Sequence, residues 1–112
     1  MNVSERRTLT YARGILEERG WIQGEAQTPD GFCLTGACRT AAGGITKRWN
    51  DATKELFPYL PYAYRERWTQ ETKDGRHRVR WGSALIAWND MPERTKEEVL
   101  TLIDMALAGE AS

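Results

Sequence analysis

Glycine and proline cut this chain into short pieces, and that punctuation limits its fold more than any other feature. Gly20, Pro29-Asp30-Gly31, Gly43-Gly44, Pro58, Asp74-Gly75 and Pro92 leave room for one short helix or one hairpin between breaks. Proline removes a backbone donor and clashes with the preceding helical turn, whereas glycine accepts positive φ at little steric cost. Between the breaks, apolar residues recur at helical spacing. Leu9, Ala12, Ile15 and Leu16 predict a helix from about Ser4, as its cap, to Arg19. Gly20 in the left-handed position after it would lay Trp21 against Leu16. The stretch "FCLTGACRTAAGG" reads as a second helix with Leu34, Ala37, Cys38 and Ala41 on one face. Gly36 and Ala37 are small enough there for a neighbouring helix or tryptophan to come close. Ile45, Trp49, Ala52 and Leu56 make the stripe of a third helix, which Pro58 stops. Pro61 opens another short one. Thr95 and Glu98 form a capping box for the last helix, with Val99, Leu102, Ile103 and Ala106 inward and Gly109 as its end.

The segment from Arg65 to Trp81 fits either a helix and loop or a hairpin turning at Asp74-Gly75. The run Arg76, His77, Arg78, Val79, Arg80, Trp81 alternates in a way that favours an extended second arm. The expected architecture is therefore mainly α: a small single-domain helical bundle over residues 1–112, with a short β-hairpin arm around residues 66–82 as its one irregular part. Trp21, Leu34, Ala37, Trp88 and Ile103 are the expected centre of its core. A chain of 112 residues suits one domain and not two.

Sixteen Lys and Arg balance sixteen Asp and Glu, so no overall field draws the protein to nucleic acid or membrane. A spanning helix needs about 20 apolar residues, and "ALIAW" falls far short. The N-terminus "MNVSERRTLT" has no apolar signal core, so a cytoplasmic location is expected, with Cys33 and Cys38 as reduced thiols.

Chemistry-bearing residues are few. Cys33 opens a predicted helix, where the dipole favours a thiolate, and His77 and Asn89 follow in the order that cysteine hydrolases use. Against that reading, His77 stands between Arg76 and Arg78 in a polar stretch, and a free cysteine on an apolar helix is usually an inert small hydrophobe. Cys33 and Cys38 are too far apart in sequence for a zinc knuckle, and Gly43-Gly44 lacks the residues of a phosphate loop. No metal, cofactor or catalytic residue is expected. Asn89 and Asp90 follow Trp88 and precede Met91-Pro92; their side chains suit a turn lock, bonding backbone N–H groups two or three residues on.

From Arg65 to Arg80, six basic residues (Arg65, Arg67, Lys73, Arg76, Arg78, Arg80) outnumber three acidic ones (Glu66, Glu71, Asp74), with Trp68 and Trp81 interleaved. Tyr62, Tyr64, Arg67, Trp68, Arg78 and Trp81 are accordingly the candidate partner-binding residues, because aromatic residues and arginine are enriched where proteins dock. The same composition admits nucleic acid as an alternative partner. Asp90 to Glu110 is acidic by contrast, which leaves homo-oligomers through charge complementarity open.

The blocks "RGILEERGW", "CLTGACRTAAG" and "IAWNDMPERTKEEVLTLIDMALAG" resemble a domain-of-unknown-function family of small proteins from actinobacteria, other soil bacteria and their tailed phages. The matching positions are Gly20-Trp21, Cys33, Gly36-Ala37, Asn89-Asp90 and Glu98-Val99; Trp49 to Trp81 finds no match. The resemblance implies a helical domain carried by phage or prophage and implies no activity. The expectation is a non-enzymatic interaction protein, a phage accessory factor binding a host protein. A small nucleic-acid-associated regulator and a cysteine hydrolase through Cys33, His77 and Asn89 stand as alternatives.

Overall fold

The computed structural model describes residues 1–109. Helix α1 (Val3–Arg19) turns Thr8, Leu9, Ala12 and Leu16 inward. Its cap is Asn2 and not Ser4: the Asn2 side chain accepts from the Glu5 N–H at 2.8 Å. Asparagine caps as well as serine, and the Ser4 carbonyl is left to accept the Thr8 hydroxyl. Gly20 ends the helix, but at φ 101° and ψ 156° the chain leaves extended, so the left-handed motif expected there does not form. Trp21 instead runs into a parallel bridge with Phe32.

That bridge exists because two glycines let backbones touch. Strands β1 (Gln27–Thr28) and β2 (Gly31–Phe32) pair around the Pro29-Asp30 turn. A methyl group on Gly31 would sit 2.4 Å from the Gly20 carbonyl oxygen, and one on Gly20 would sit 2.5 Å from that of Asp30. Helix α2 (Leu34–Ala41) follows at once, burying Leu34, Gly36, Ala37 and Cys38. The small residue Gly36 does admit a close neighbour, but that neighbour is the peptide of Ala26 rather than a helix or a tryptophan.

Helix α3 (Thr46–Leu56) corrects the predicted stripe. Ile45 is its cap and 46% exposed, Trp49 is half-buried, and the inward face is Ala52, Thr53 and Leu56. Thr53 tolerates full burial because its hydroxyl donates to the Trp49 and Asn50 carbonyls within its own helix. A 3-10 turn (Phe57–Tyr59) then leads through Pro61 into the short helix α4 (Tyr62–Arg67). The ambiguous segment resolves as the hairpin: β3 (Thr69–Glu71) pairs antiparallel with β4 (His77–Val79), in the register Thr69↔Val79, Gln70↔Arg78, Glu71↔His77. Gly75 takes φ 82° at the turn and donates to the Thr72 carbonyl.

Helices α5 (Trp81–Asn89) and α6 (Lys96–Ala108) complete the fold. The capping box of α6 is present, with Glu98 N–H to Thr95 Oγ1 at 3.2 Å and Thr95 N–H to Glu98 Oε1 at 3.1 Å; Gly109 is left-handed at its end. Helix α1 packs against α2, α3 and α6, while α5 closes the space beside α2 and α3. Leu9, Leu16, Leu34, Leu56, Leu85, Val99 and Ile103 are fully buried where they meet. Each such side chain contributes about 1.5–3 kcal/mol. Trp88 belongs to this core and Trp21 packs half-buried at its edge. A fork from Arg13 to both carboxylate oxygens of Asp104, at 2.6 and 3.1 Å, ties α1 to α6 and raises the arginine's pKa. The architecture is mainly α with a short hairpin. No helix among the described residues is long and apolar enough to cross a membrane.

Candidate functional site

Two places gather the residues that carry polar or aromatic chemistry. The first is the end of α5. Helical spacing puts Ala84, Leu85, Trp88 and Asn89 on the inward face, so Asn89 enters the core as a polar side chain only 1% exposed. Its Oδ1 accepts from the Trp21 indole N–H at 2.7 Å and from the Leu34 N–H at 3.0 Å. Its Nδ2 donates to the Ile22 carbonyl at 3.2 Å and to Asp90 Oδ1 at 2.9 Å. Asp90 also accepts from the Gly24 N–H, and Gln23 Nε2 donates to the carbonyls of Asn89 and Met91. The bonds thus run back across the chain to residues 21–34, not to N–H groups two or three residues on. Asn89 joins α5, the chain after α1 and the N-terminus of α2 at one point. Trp88 lies under the Arg94 guanidinium, 4.3 Å from the ring centroid, and Arg94 Nε also donates to the Trp88 carbonyl.

These bonds bring Asn89 to Leu34, the neighbour of Cys33, but they leave the hydrolase reading without a free amide, an open thiol or its histidine. Asn89 has used both donors and accepts twice. Cys33 is 7% exposed and its sulfur caps α2, accepting from the Gly36 N–H at 3.3 Å. His77 is exposed on β4, among groove residues that include neither of the others. Burial, with the nearby Cys33 adding to it, pushes the Cys38 thiol up to about 12. A thiol reagent at pH 8 is therefore expected to leave Cys38 unmodified in the folded protein and to reach Cys33 slowly, while both react at once in denaturant. Rapid labelling of Cys33 in the native state would contradict its burial at the cap of α2. Among the described residues, no three His, Cys, Asp or Glu side chains gather as a metal ion would need.

The second place is a groove of about 610 Å³ between the aromatic corner and the hairpin. Phe57 and Pro58 of the 3-10 turn form one wall, with Tyr62, Arg65 and Glu66 of α4 beside them; Thr69, Glu71 and His77 present one face of the hairpin to it. Strand alternation explains the selection: Thr69, Glu71 and the partner of Glu71, His77, share a face, and Gln70 and Arg78 share the other. The six residues singled out in the sequence are thereby dispersed. Tyr62 lines the groove and is 67% exposed. Tyr64 and Trp68 pack half-buried against the core. Arg67 lies 5.5 Å from the Trp68 ring centroid, and Lys54 lies 5.7 Å from that of Trp81. Arg78 is exposed on the opposite hairpin face.

A family model matches residues 2–108. The chain belongs to the family of unknown function DUF6197. The match runs through the segment from Trp49 to Trp81, so the groove and the hairpin lie within the family's domain. No curated protein and no solved structure matches the chain. The sequence pattern singles out none of Phe57, Pro58, Arg65, Glu66, Thr69 and Glu71 as site residues, and it raises His77 only for the hydrolase alternative. The available signal was the alternation of the second arm, which sorts His77 from Arg76 and Arg78.

Proposed function

We propose that this protein is a non-enzymatic interaction module that docks a segment of a partner protein in the groove between residues 57–66 and the hairpin. The observation that carries this reading is the groove itself. Its size falls in the range of ligand sites, about 300–1,000 Å³, and it holds Tyr62, an aromatic side chain with most of its surface in solvent. The buried polar side chains of Thr8, Thr53 and Asn89 are already hydrogen-bonded within the fold. The phage-borne setting implied by the sequence resemblance makes the partner a host protein met in the cytoplasm.

The test is a pull-down from host lysate with the tagged chain and two single variants. Tyr62→Ala is expected to lose the specific partner, whereas Arg78→Ala, on the far hairpin face, is expected to keep it. Unchanged capture by Tyr62→Ala would remove the groove as the docking surface.

One observation favours nucleic acid as a second reading. Arg78 is exposed away from the groove, with Arg76 and Arg80 exposed two residues to either side. Against it, Arg67 and Lys54 already cover ring faces of Trp68 and Trp81 that base stacking would use. Phosphate contacts through these arginines would give binding that falls steeply with salt. No binding to a mixed-sequence oligonucleotide at low salt would eliminate this reading.

A further inference from the structure

The charges lining the groove differ from those of the arm around it, and the difference specifies an occupant. Of the six basic residues between Arg65 and Arg80, only Arg65 lines the groove. Its Nε is held by the Leu60 carbonyl at 3.1 Å, and its guanidinium sits 5.7 Å from the Tyr62 ring centroid, so it forms part of the wall. Two of the arm's three carboxylates, Glu66 and Glu71, line the same groove. Both are exposed, and neither enters an ion pair among the described residues. In formal charge, histidine counted as neutral, one arginine against two glutamates leaves −1 beside Phe57, Pro58 and Tyr62.

Resting on the docking role proposed above, we infer that the groove takes a partner segment in which an apolar side chain neighbours a lysine or arginine. The apolar group covers the rings of Phe57, Pro58 and Tyr62. The cation meets Glu66 and Glu71 at the rim, where removing it from water costs little because both carboxylates keep their hydration. An acidic segment of the same shape brings its charge against two unpaired carboxylates, and like charges brought together suppress the wrong partner.

The probes are two short peptides, one alternating leucine with lysine and one alternating leucine with glutamate, each titrated into the isotope-labelled full chain and followed by amide NMR. The leucine–lysine peptide is expected to move resonances of residues 57–71 and 77, and to bind at least about tenfold more tightly than its glutamate counterpart. Glu66→Gln with Glu71→Gln, both surface changes, should bring the two peptides to nearly equal affinity while the same resonances still move. Equal affinity of the two peptides for the unaltered protein would overturn the charge preference and leave the groove as a docking site. Shifts confined to other residues would overturn both. Shifts at the groove that appear on raising protein concentration alone would assign it to a second copy of the chain and overturn the inference.

Discussion

Alanine at position 89 is expected to destabilise the protein by about 3–5 kcal/mol, a large part of the 5–15 kcal/mol that holds a typical domain folded. The cost comes from what remains after the amide is removed. The Trp21 indole N–H, the Leu34 N–H and the Ile22 carbonyl would each lose a partner that lies in a site 1% exposed. A buried polar group without a hydrogen bond costs about 1–3 kcal/mol. Trp21 is half-buried, so water recovers part of its share. Asp90→Ala provides the comparison. It removes the bonds to the Gly24 N–H and to Asn89 from an exposed carboxylate, and its cost should stay near 1 kcal/mol. Urea denaturation of both variants checks the order. Equal and small effects would mean that Asn89 serves as an ordinary helix end.

Gly36→Ala is the second large effect, and its sign opposes helix propensity. In an exposed helix interior, alanine is favoured over glycine by about 1 kcal/mol. Gly36 lies inside α2, yet an added methyl would sit 2.0 Å from the Ala26 carbonyl oxygen, 2.8 Å from its carbon and 3.1 Å from its Cα. All three are backbone atoms, which cannot rotate aside. The same carbonyl accepts the Cys33 N–H at 3.1 Å, so moving it also loosens the start of α2. Overpacking of this kind costs about 1–3 kcal/mol and sometimes more. With the lost hydrogen bond, a net destabilisation of about 2–4 kcal/mol is expected. Gly14→Ala is the matched control, because Gly14 lies inside α1 with nothing near the place its methyl would take. That variant should gain up to about 1 kcal/mol. The two substitutions are chemically identical, and thermal melts should move in opposite directions.

Local rules explain which parts of this fold were legible in the sequence. The last helix was readable to its cap, because Thr95, Glu98 and Gly109 act through bonds within one turn of themselves. The hairpin followed from Asp74-Gly75 and the alternation after it. Ile45 misled because its spacing fits the stripe of α3 while its position, one residue before Thr46, makes it the cap and leaves it in solvent. The role of Asn89 was only half visible. A polar residue after Trp88 suggested a turn, but its partners lie 55 to 68 residues earlier where they are not Asp90, and no spacing rule reaches that far. The groove was hidden for a related reason. Its walls come from a 3-10 turn, a short helix and one hairpin face, so its lining shares no single period. Composition therefore grouped Trp68, Trp81 and Arg78 with Tyr62, although packing and strand alternation set them apart.

Hydrogen exchange of the protein alone and with its captured partner tests the central claim most directly, because it locates the contact without presupposing the partner's sequence. Protection on binding is expected in residues 57–71 and 77–79, with α1 and α6 unchanged. Protection over α1 or α6, with the aromatic corner and the hairpin exchanging as in the free protein, would contradict the assignment of the groove as the docking surface.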